Sequence, residues 1–307
     1  MIASEYSFAQ KWLMAVRPPT LLLGLSPVIM GLSLGWYRLL MVEGLSFRWD
    51  YLAASVLAIL LAILLQTAAN LINDAKDAAY GVDHEERLGP PRVVQLGILS
   101  AAAVRQAYRL CFAFALAALL LLMWGRWDAT ILGVGGLCAA AAYLYTGGPY
   151  PLAYHGFGEF LALIFFGPIA VMGTSYLLLP ELNWDAAAWG MGAGLLSASL
   201  MAINNFRDRN GDRKAGKHTL AIFLGGDKGR LVPLILALMG CFMLSFFAWM
   251  HTTWKISAAV SVLSVGVVGW GIYPLLSQGP ARQNLALKRT ALFTFVYAIV
   301  FAVLVWV

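Results

Sequence analysis

The chain has 307 residues, is 61% hydrophobic and only 12% charged, and has a mean hydropathy of +0.76, whereas about a quarter of the residues of a soluble domain carry charge. That composition excludes an ordinary water-soluble domain, and the continuously apolar runs exclude the short alternating strands of a membrane β-barrel. The net charge of +6 calls for no nucleic acid, because membrane topology and anionic headgroups account for it.

In chain order, a short amphipathic segment at Phe8–Val16 precedes nine largely charge-free stretches: 21–36, 52–71, 110–124, 129–145, 160–179, 186–203, 231–250, 256–275 and 291–307. The expectation is all-α: nine transmembrane helices, several completed by flanking residues, forming a single membrane domain over 1–307 in the lipid bilayer. Lys11 and Arg17 precede a first run that lacks a small-residue cleavage site, so this run reads as a retained helix. With nine spans, 17 lysines and arginines fall on one side and 4 on the other, which predicts a cytoplasmic N-terminus and an outer C-terminus. Cys111, Cys138 and Cys241 sit in separate apolar runs and point to neither a disulfide framework nor a zinc site.

Two long polar connections, 73–103 and 205–230, are expected to cap the bundle on the cytoplasmic side, each following an even-numbered span. A third connection, 145–159, is rich in Gly, Pro and Tyr and carries no lysine or arginine, as suits a binding loop. The two long connections open with carboxylates. Asn70, Asn73, Asp74 and Asp77 fall at i, i+3, i+4 and i+7 on one helical face, and Asn204, Asp208 and Asp212 at i, i+4 and i+8. Acidic groups at a helix C-terminus repel one another and the helix dipole, so two such sets at solvent-reachable helix ends predict cations held between them. Hard oxygen donors suit Mg²⁺, which binds through one or two carboxylates plus phosphate oxygens. Arg87, Arg92, Arg207 and Lys217 are placed to hold a diphosphate. The plainer alternative is that the aspartates pair with these bases on a solvated surface.

Some patterns carry less. Gly211 to His218 nearly matches a nucleotide-binding P-loop, but His218 replaces the required Ser/Thr and no strand is expected before it. Gly225 to Gly229 reads as a turn, and the scattered histidines make no metal motif. Tyr145, Tyr150 and Tyr154 could stabilise a cationic transition state through their ring faces. A secondary transporter would instead place its carboxylates near the bilayer midplane.

Asn70-x-x-Asn73-Asp74-x-x-Asp77-x-x-x-Gly81-x-Asp83, Arg87-x-Gly89-Pro90-x-Arg92, Asn204-Asn205-x-Arg207-Asp208-x-x-x-Asp212-x-x-x-Gly216-Lys217-x-Thr219-Leu220 and the opening Arg17-Pro18-x-Thr20-Leu21 together resemble the UbiA superfamily of intramembrane prenyltransferases. The Asp77 to Asp83 spacing is similar to that of the branch that prenylates 1,4-dihydroxy-2-naphthoate in menaquinone synthesis, with a phenol such as 4-hydroxybenzoate as the alternative acceptor. The resemblance implies a bacterial inner-membrane enzyme with a central cavity, using polyprenyl diphosphate and Mg²⁺. It implies Asp74, Asp77, Asp208 and Asp212 as catalytic metal ligands, with Asn70 and Asn204 beside them. It further implies Asn73, Arg87, Arg92, Arg207 and Lys217 at the diphosphate, Asp83 as an assisting base or loop-ordering group, and Tyr145, Tyr150, Tyr154 and Arg17 at the acceptor and prenyl pocket.

Overall fold

The computed structural model describes residues 6–79, 88–89, 92–124, 127–276 and 279–307, and among these it contains helices and turns but no strand. Eleven α-helices run in chain order as α1 (Phe8–Val16), α2 (Pro18–Tyr37), α3 (Trp49–Ala79), α4 (Ala101–Leu122), α5 (Ala129–Leu144), α6 (Gly158–Ile164), α7 (Ala170–Leu178), α8 (Trp184–Lys214), α9 (Leu220–His251), α10 (Trp254–Leu276) and α11 (Pro280–Leu304). A π-helical turn extends α2 through Val42, and another at Phe165–Ile169 joins α6 to α7. Eight of the resulting segments are long and apolar enough to cross a membrane, so the chain is a multi-pass membrane protein.

The remaining expected span, α5, is a 16-residue helix. At about 1.5 Å per residue it falls short of the ~30 Å hydrocarbon core. Its apolar run ends where Gly147 and Gly148, the latter at φ 77°, turn the chain into the connection to α6. The nine expected runs therefore give eight segments of spanning length and one shorter helix.

Side chains fix where the helices begin. Ser7 and Gln10 cap α1 reciprocally, and Ser100, Asp128, Asn183 and Thr219 accept first-turn N–H groups of α4, α5, α8 and α9. The segment expected to be amphipathic is α1, which exposes Phe8 and Leu13 while burying Ala15. Arg17, at φ 56°, is the hinge between α1 and α2, and Pro18 and Pro19 start the new helix without donors to lose. The glycine-rich turn expected at 225–229 appears as a break inside α9 at Gly225, φ 77°.

The 31-residue α8 is the axis of the bundle: 72% of its spanning window is buried, against 17% for α3. Its small residues let neighbours approach. A Cβ on Gly190 would lie 2.9 Å from Gly167, and one on Gly194 would run into the Leu163 carbonyl. Deeper along α8, Leu196, Ile203 and Phe206 belong to the principal core with Cys241 and Phe247 of α9 and Tyr297 and Phe301 of α11. Because the helices alternate in direction, the C-terminal ends of α3, α5 and α8 meet the N-terminal ends of α2 and α11 at one end of the bundle. Exposed Trp49, Trp124, Trp127, Trp184, Trp249 and Trp254 mark the opposite end, as an interfacial belt does.

Candidate active site

A cavity of about 790 Å³ opens at the end where these termini meet. That is the size of a small-molecule site. Two polar sets face it from different helices. From α3 come Asn73 and Asp77, joined by Arg92 from the following connection; Asp77 accepts from Arg92 Nη2 at 2.6 Å and from Tyr154 Oη at 2.6 Å. The same Arg92 nitrogen reaches Asn73 Oδ1 at 3.1 Å. From α8 come Asn204, Asn205, Arg207, Asp208 and Asp212. Arg207 meets both oxygens of Asp208, at 2.7 and 2.5 Å, in a side-on fork. It also donates to Asn204 Oδ1 and to Asn284 Oδ1, each at 2.9 Å. Lys217 lies 3.0 Å from Asp212 and 4.6 Å from the centre of the Tyr154 ring.

Backbone bonds explain how the 145–157 connection delivers Tyr154. Ala153 N donates to the Tyr145 carbonyl at 2.9 Å and His218 N donates to the Tyr154 carbonyl at 2.8 Å, tying this connection to the one after α8. Gly156, at φ 81°, fits beneath the His218 carbonyl, which would lie 2.8 Å from an added Cβ. His218 thus serves the loop through its backbone, and the near-match to a P-loop has no P-loop setting: residues 211–214 end a helix, and no strand occurs among the described residues.

Several expected site residues lie elsewhere. Asp74 is fully buried, not solvent-reachable, and does not line the cavity. Its two oxygens accept the N–H groups of Val93 and Val94, both at 3.3 Å, with Arg17 Nη2 3.6 Å away. Asn70 is likewise turned aside, donating to the Val16 carbonyl at 2.8 Å and to Thr20 Oγ1 at 2.7 Å. At about 100° per residue, Asn70 to Asp77 span a 100° wedge. Asn73 and Asp77 occupy the half that faces the cavity, and Asn70 and Asp74 the half that faces α1 and the Arg92 connection. Tyr150 is exposed and stacks on His155 at 3.5 Å, outside the lining. Tyr145 lines the cavity with its hydroxyl 3.0 Å from Met201 Sδ, while Tyr154 reaches the site through Asp77 and Lys217. Asp83 and Arg87 lie outside the described residues.

The sequence reading missed Asn284 and Lys288 of α11, which complete the polar wall, and Glu159, which bonds Asn205 from behind. No acidic motif marks α11. Its only signal was a polar one-turn pair, Asn284 and Lys288, at the start of an apolar run.

Among the described residues no three carboxylate, histidine or cysteine side chains converge as a ready metal cage; instead each cavity aspartate is closed by its own base. The donor set still fits a hard divalent cation. Asn73, Asp77, Asn204, Asp208 and Asp212 present only oxygens that prefer such ions, and Mg²⁺ asks for few protein ligands when phosphate supplies the rest.

Comparison with known proteins gives the same frame. The chain is 34% identical to the 1,4-dihydroxy-2-naphthoate octaprenyltransferase of Mycobacterium tuberculosis over 96% of each protein. It is 34% identical to the Escherichia coli protein of the same name over 83% of this chain and 82% of that one. Among solved structures, a UbiA homologue from Aeropyrum pernix superposes with a TM-score of 0.65 at 16% identity, covering 90% of this chain and 97% of that one. A homologue from Archaeoglobus fulgidus bound to DMAPP and Mg²⁺ superposes at 0.59 and 18% identity, over 95% and 99%. The model of the UbiA prenyltransferase family matches residues 25–299, and the chain belongs to that family.

Proposed function

We propose that this protein transfers a polyprenyl group from its diphosphate to the carboxylate-bearing ring carbon of 1,4-dihydroxy-2-naphthoate, with loss of CO₂, giving the quinol form of demethylmenaquinone at the cytoplasmic face of a bacterial membrane. The observation that carries the reading is one cavity faced by two separate carboxylate-and-base sets, Asn73/Asp77/Arg92 and Asn204/Arg207/Asp208/Asp212/Lys217. The relatives' names supply the acceptor. Among the described residues every Asp and Glu lies in a connection or within about two turns of a helix end, and none lies at mid-helix, where an ion-coupled transporter would carry it.

In this reading Asn73, Asp77, Asn204, Asp208 and Asp212 hold Mg²⁺. When bound, Mg²⁺ would supply positive charge to the diphosphate, which leaves with the electron pair of the breaking C–O bond. Arg92, Arg207 and Lys217 change partners, from the aspartates to the diphosphate oxygens, so each positive charge is already positioned when negative charge develops. Leu13, Met14, Pro18, Leu200, Leu287 and Ala291 give the prenyl chain an apolar wall on the same cavity. The ring carbon of the acceptor forms the new C–C bond, and the electron pair of the departing carboxylate restores the aromatic ring. All 307 residues act as one membrane domain. The deciding experiment incubates purified protein with Mg²⁺, prenyl diphosphate and carboxyl-labelled dihydroxynaphthoate. Label should leave as CO₂ one-for-one with prenylated product; label retained in that product, or faster prenylation of 4-hydroxybenzoate, would reassign the acceptor.

A further inference from the structure

Glu159 is a buried acid that the mechanism above does not use. It stands in the first turn of α6, is 8% exposed, and makes no ion pair among the described residues. Its Oε1 accepts from Asn205 Nδ2 at 2.9 Å, and its Oε2 is buried with no hydrogen-bond partner among the described residues. Asn205 lines the cavity, and Glu159 stands behind it. A methyl group at Gly158 would lie 3.5 Å from both Asn205 Nδ2 and Tyr145 Oη, so the three side chains share one corner of the wall. The Tyr145 hydroxyl is spent on Met201. Asn205 precedes Asp208 by three residues on α8, which puts it about 4.5 Å further from the helix end than the carboxylate assigned to the metal.

The consequence concerns direction. A side-chain amide has a donor end and an acceptor end of nearly identical shape, and its surroundings decide which way it points. A carboxylate accepts and does not donate, so Glu159 draws Nδ2 toward itself and leaves Asn205 Oδ1, with two lone pairs, as the group offered to the cavity. An oxygen acceptor in that deeper corner suits a ring hydroxyl, and does not suit a second anionic oxygen. We propose that Glu159 is a positioning residue that locks the Asn205 amide with its oxygen toward the cavity, where that oxygen accepts a hydrogen bond from a hydroxyl of the aromatic acceptor and makes the enzyme select hydroxylated rings. This rests on the prenyl-acceptor reading above and adds the group that recognises the hydroxyl.

The test is Glu159→Gln, which keeps shape but lets the amide of Asn205 point either way. Initial rates are measured with 1,4-dihydroxy-2-naphthoate and with each of the two naphthoates lacking one hydroxyl, and KM is measured separately for the prenyl diphosphate. Wild-type enzyme should prefer the dihydroxy acceptor over at least one monohydroxy analogue. In Glu159→Gln the KM of the dihydroxy acceptor should rise about tenfold, that preference should shrink by the same factor, and the KM of the prenyl diphosphate should stay within about twofold. Glu159→Asp should recover part of the preference. A purely structural bond between α6 and α8 would raise both KM values or lower kcat alone, and either result overturns the proposal, as does an unchanged preference. Should Glu159→Gln fail to fold, Glu159→Leu/Asn205→Leu replaces both partners by apolar side chains, an exchange that buried pairs tolerate; a normal acceptor KM in that variant is equally fatal. Wild-type protein that prenylates no naphthoate refutes the broader reading, and an active wild type with kinetically unaltered Glu159→Gln refutes this one alone.

Discussion

Asp74→Asn separates a structural carboxylate from a metal-binding one. Asp74 sits in the midst of the acidic motif, yet it is fully buried and accepts two backbone N–H groups, from Val93 and Val94. An asparagine of the same shape keeps one of those acceptors and turns an NH₂ donor toward the other N–H. Losing a charge-assisted hydrogen bond costs about 1.5–3 kcal/mol, and leaving a buried donor unmatched costs about 1–3 kcal/mol more. Both bonds are long at 3.3 Å, and the pairing with Arg17 at 3.6 Å involves a side chain that is 19% exposed, so the lower half of that range applies, roughly 2.5–4 kcal/mol. The damage is local: Val93 and Val94 follow Arg92, so loosening them withdraws the guanidinium that reaches Asp77. The variant should unfold on the order of 5–10 °C lower by circular dichroism in detergent. It should also turn over at least about tenfold more slowly while its half-saturating Mg²⁺ concentration stays within about threefold of wild type. Unchanged thermal stability together with a tenfold weaker Mg²⁺ response would refute this reasoning and return Asp74 to the metal set.

Asp208→Asn makes the opposite case: Arg207 keeps Asn204 and Asn284 as partners, so the fold should persist while turnover falls about a hundredfold or more; wild-type turnover at saturating Mg²⁺ would remove the two-set clamp. EDTA should abolish prenyl transfer, Mg²⁺ or Mn²⁺ should restore it and Na⁺ should not; full activity of a metal-free preparation would leave Arg92, Arg207 and Lys217 as a purely basic site. Asn284→Leu removes one of Arg207's anchors and should raise the KM of the prenyl diphosphate about three- to tenfold with the acceptor KM unchanged, a split readable from initial rates. Gly194→Ala forces a methyl against the Leu163 carbonyl and should lower stability by about 1–3 kcal/mol, whereas Gly133→Ala meets open space and should be neutral or stabilising; equal effects in unfolding titrations would contradict the close packing of α8 on α6.

The sequence by itself determined the membrane-spanning helical class, the amphipathic α1, and the placement of both acidic motifs at helix ends, because each follows from local composition and a 3.6-residue period. It also placed Asn204, Asp208 and Asp212 on a shared side of α8, and the structure puts all three on the cavity. It could not set the rotation of α3 about its own axis. A wedge of about 100° carrying Asn70, Asn73, Asp74 and Asp77 is equally polar at both edges, so composition gives no reason to turn Asp77 rather than Asp74 inward. Packing decided it: Arg17 and the Val93 and Val94 amides claim Asp74, Val16 and Thr20 claim Asn70, and Asp77 is left to Arg92 and Tyr154 at the cavity. The contributions of Asn284, Lys288 and Glu159 were out of reach for a related reason. Each lies at the edge of an apolar run without a carboxylate cluster around it, and its meaning depends on which helix end lies beside it, at sequence separations of 77 residues for Asn284 with Arg207 and 46 for Glu159 with Asn205. Periodicity reports the faces of one helix, and the contacts between helices, polar partners for α3 and close approach of small residues for α8, fix which faces meet.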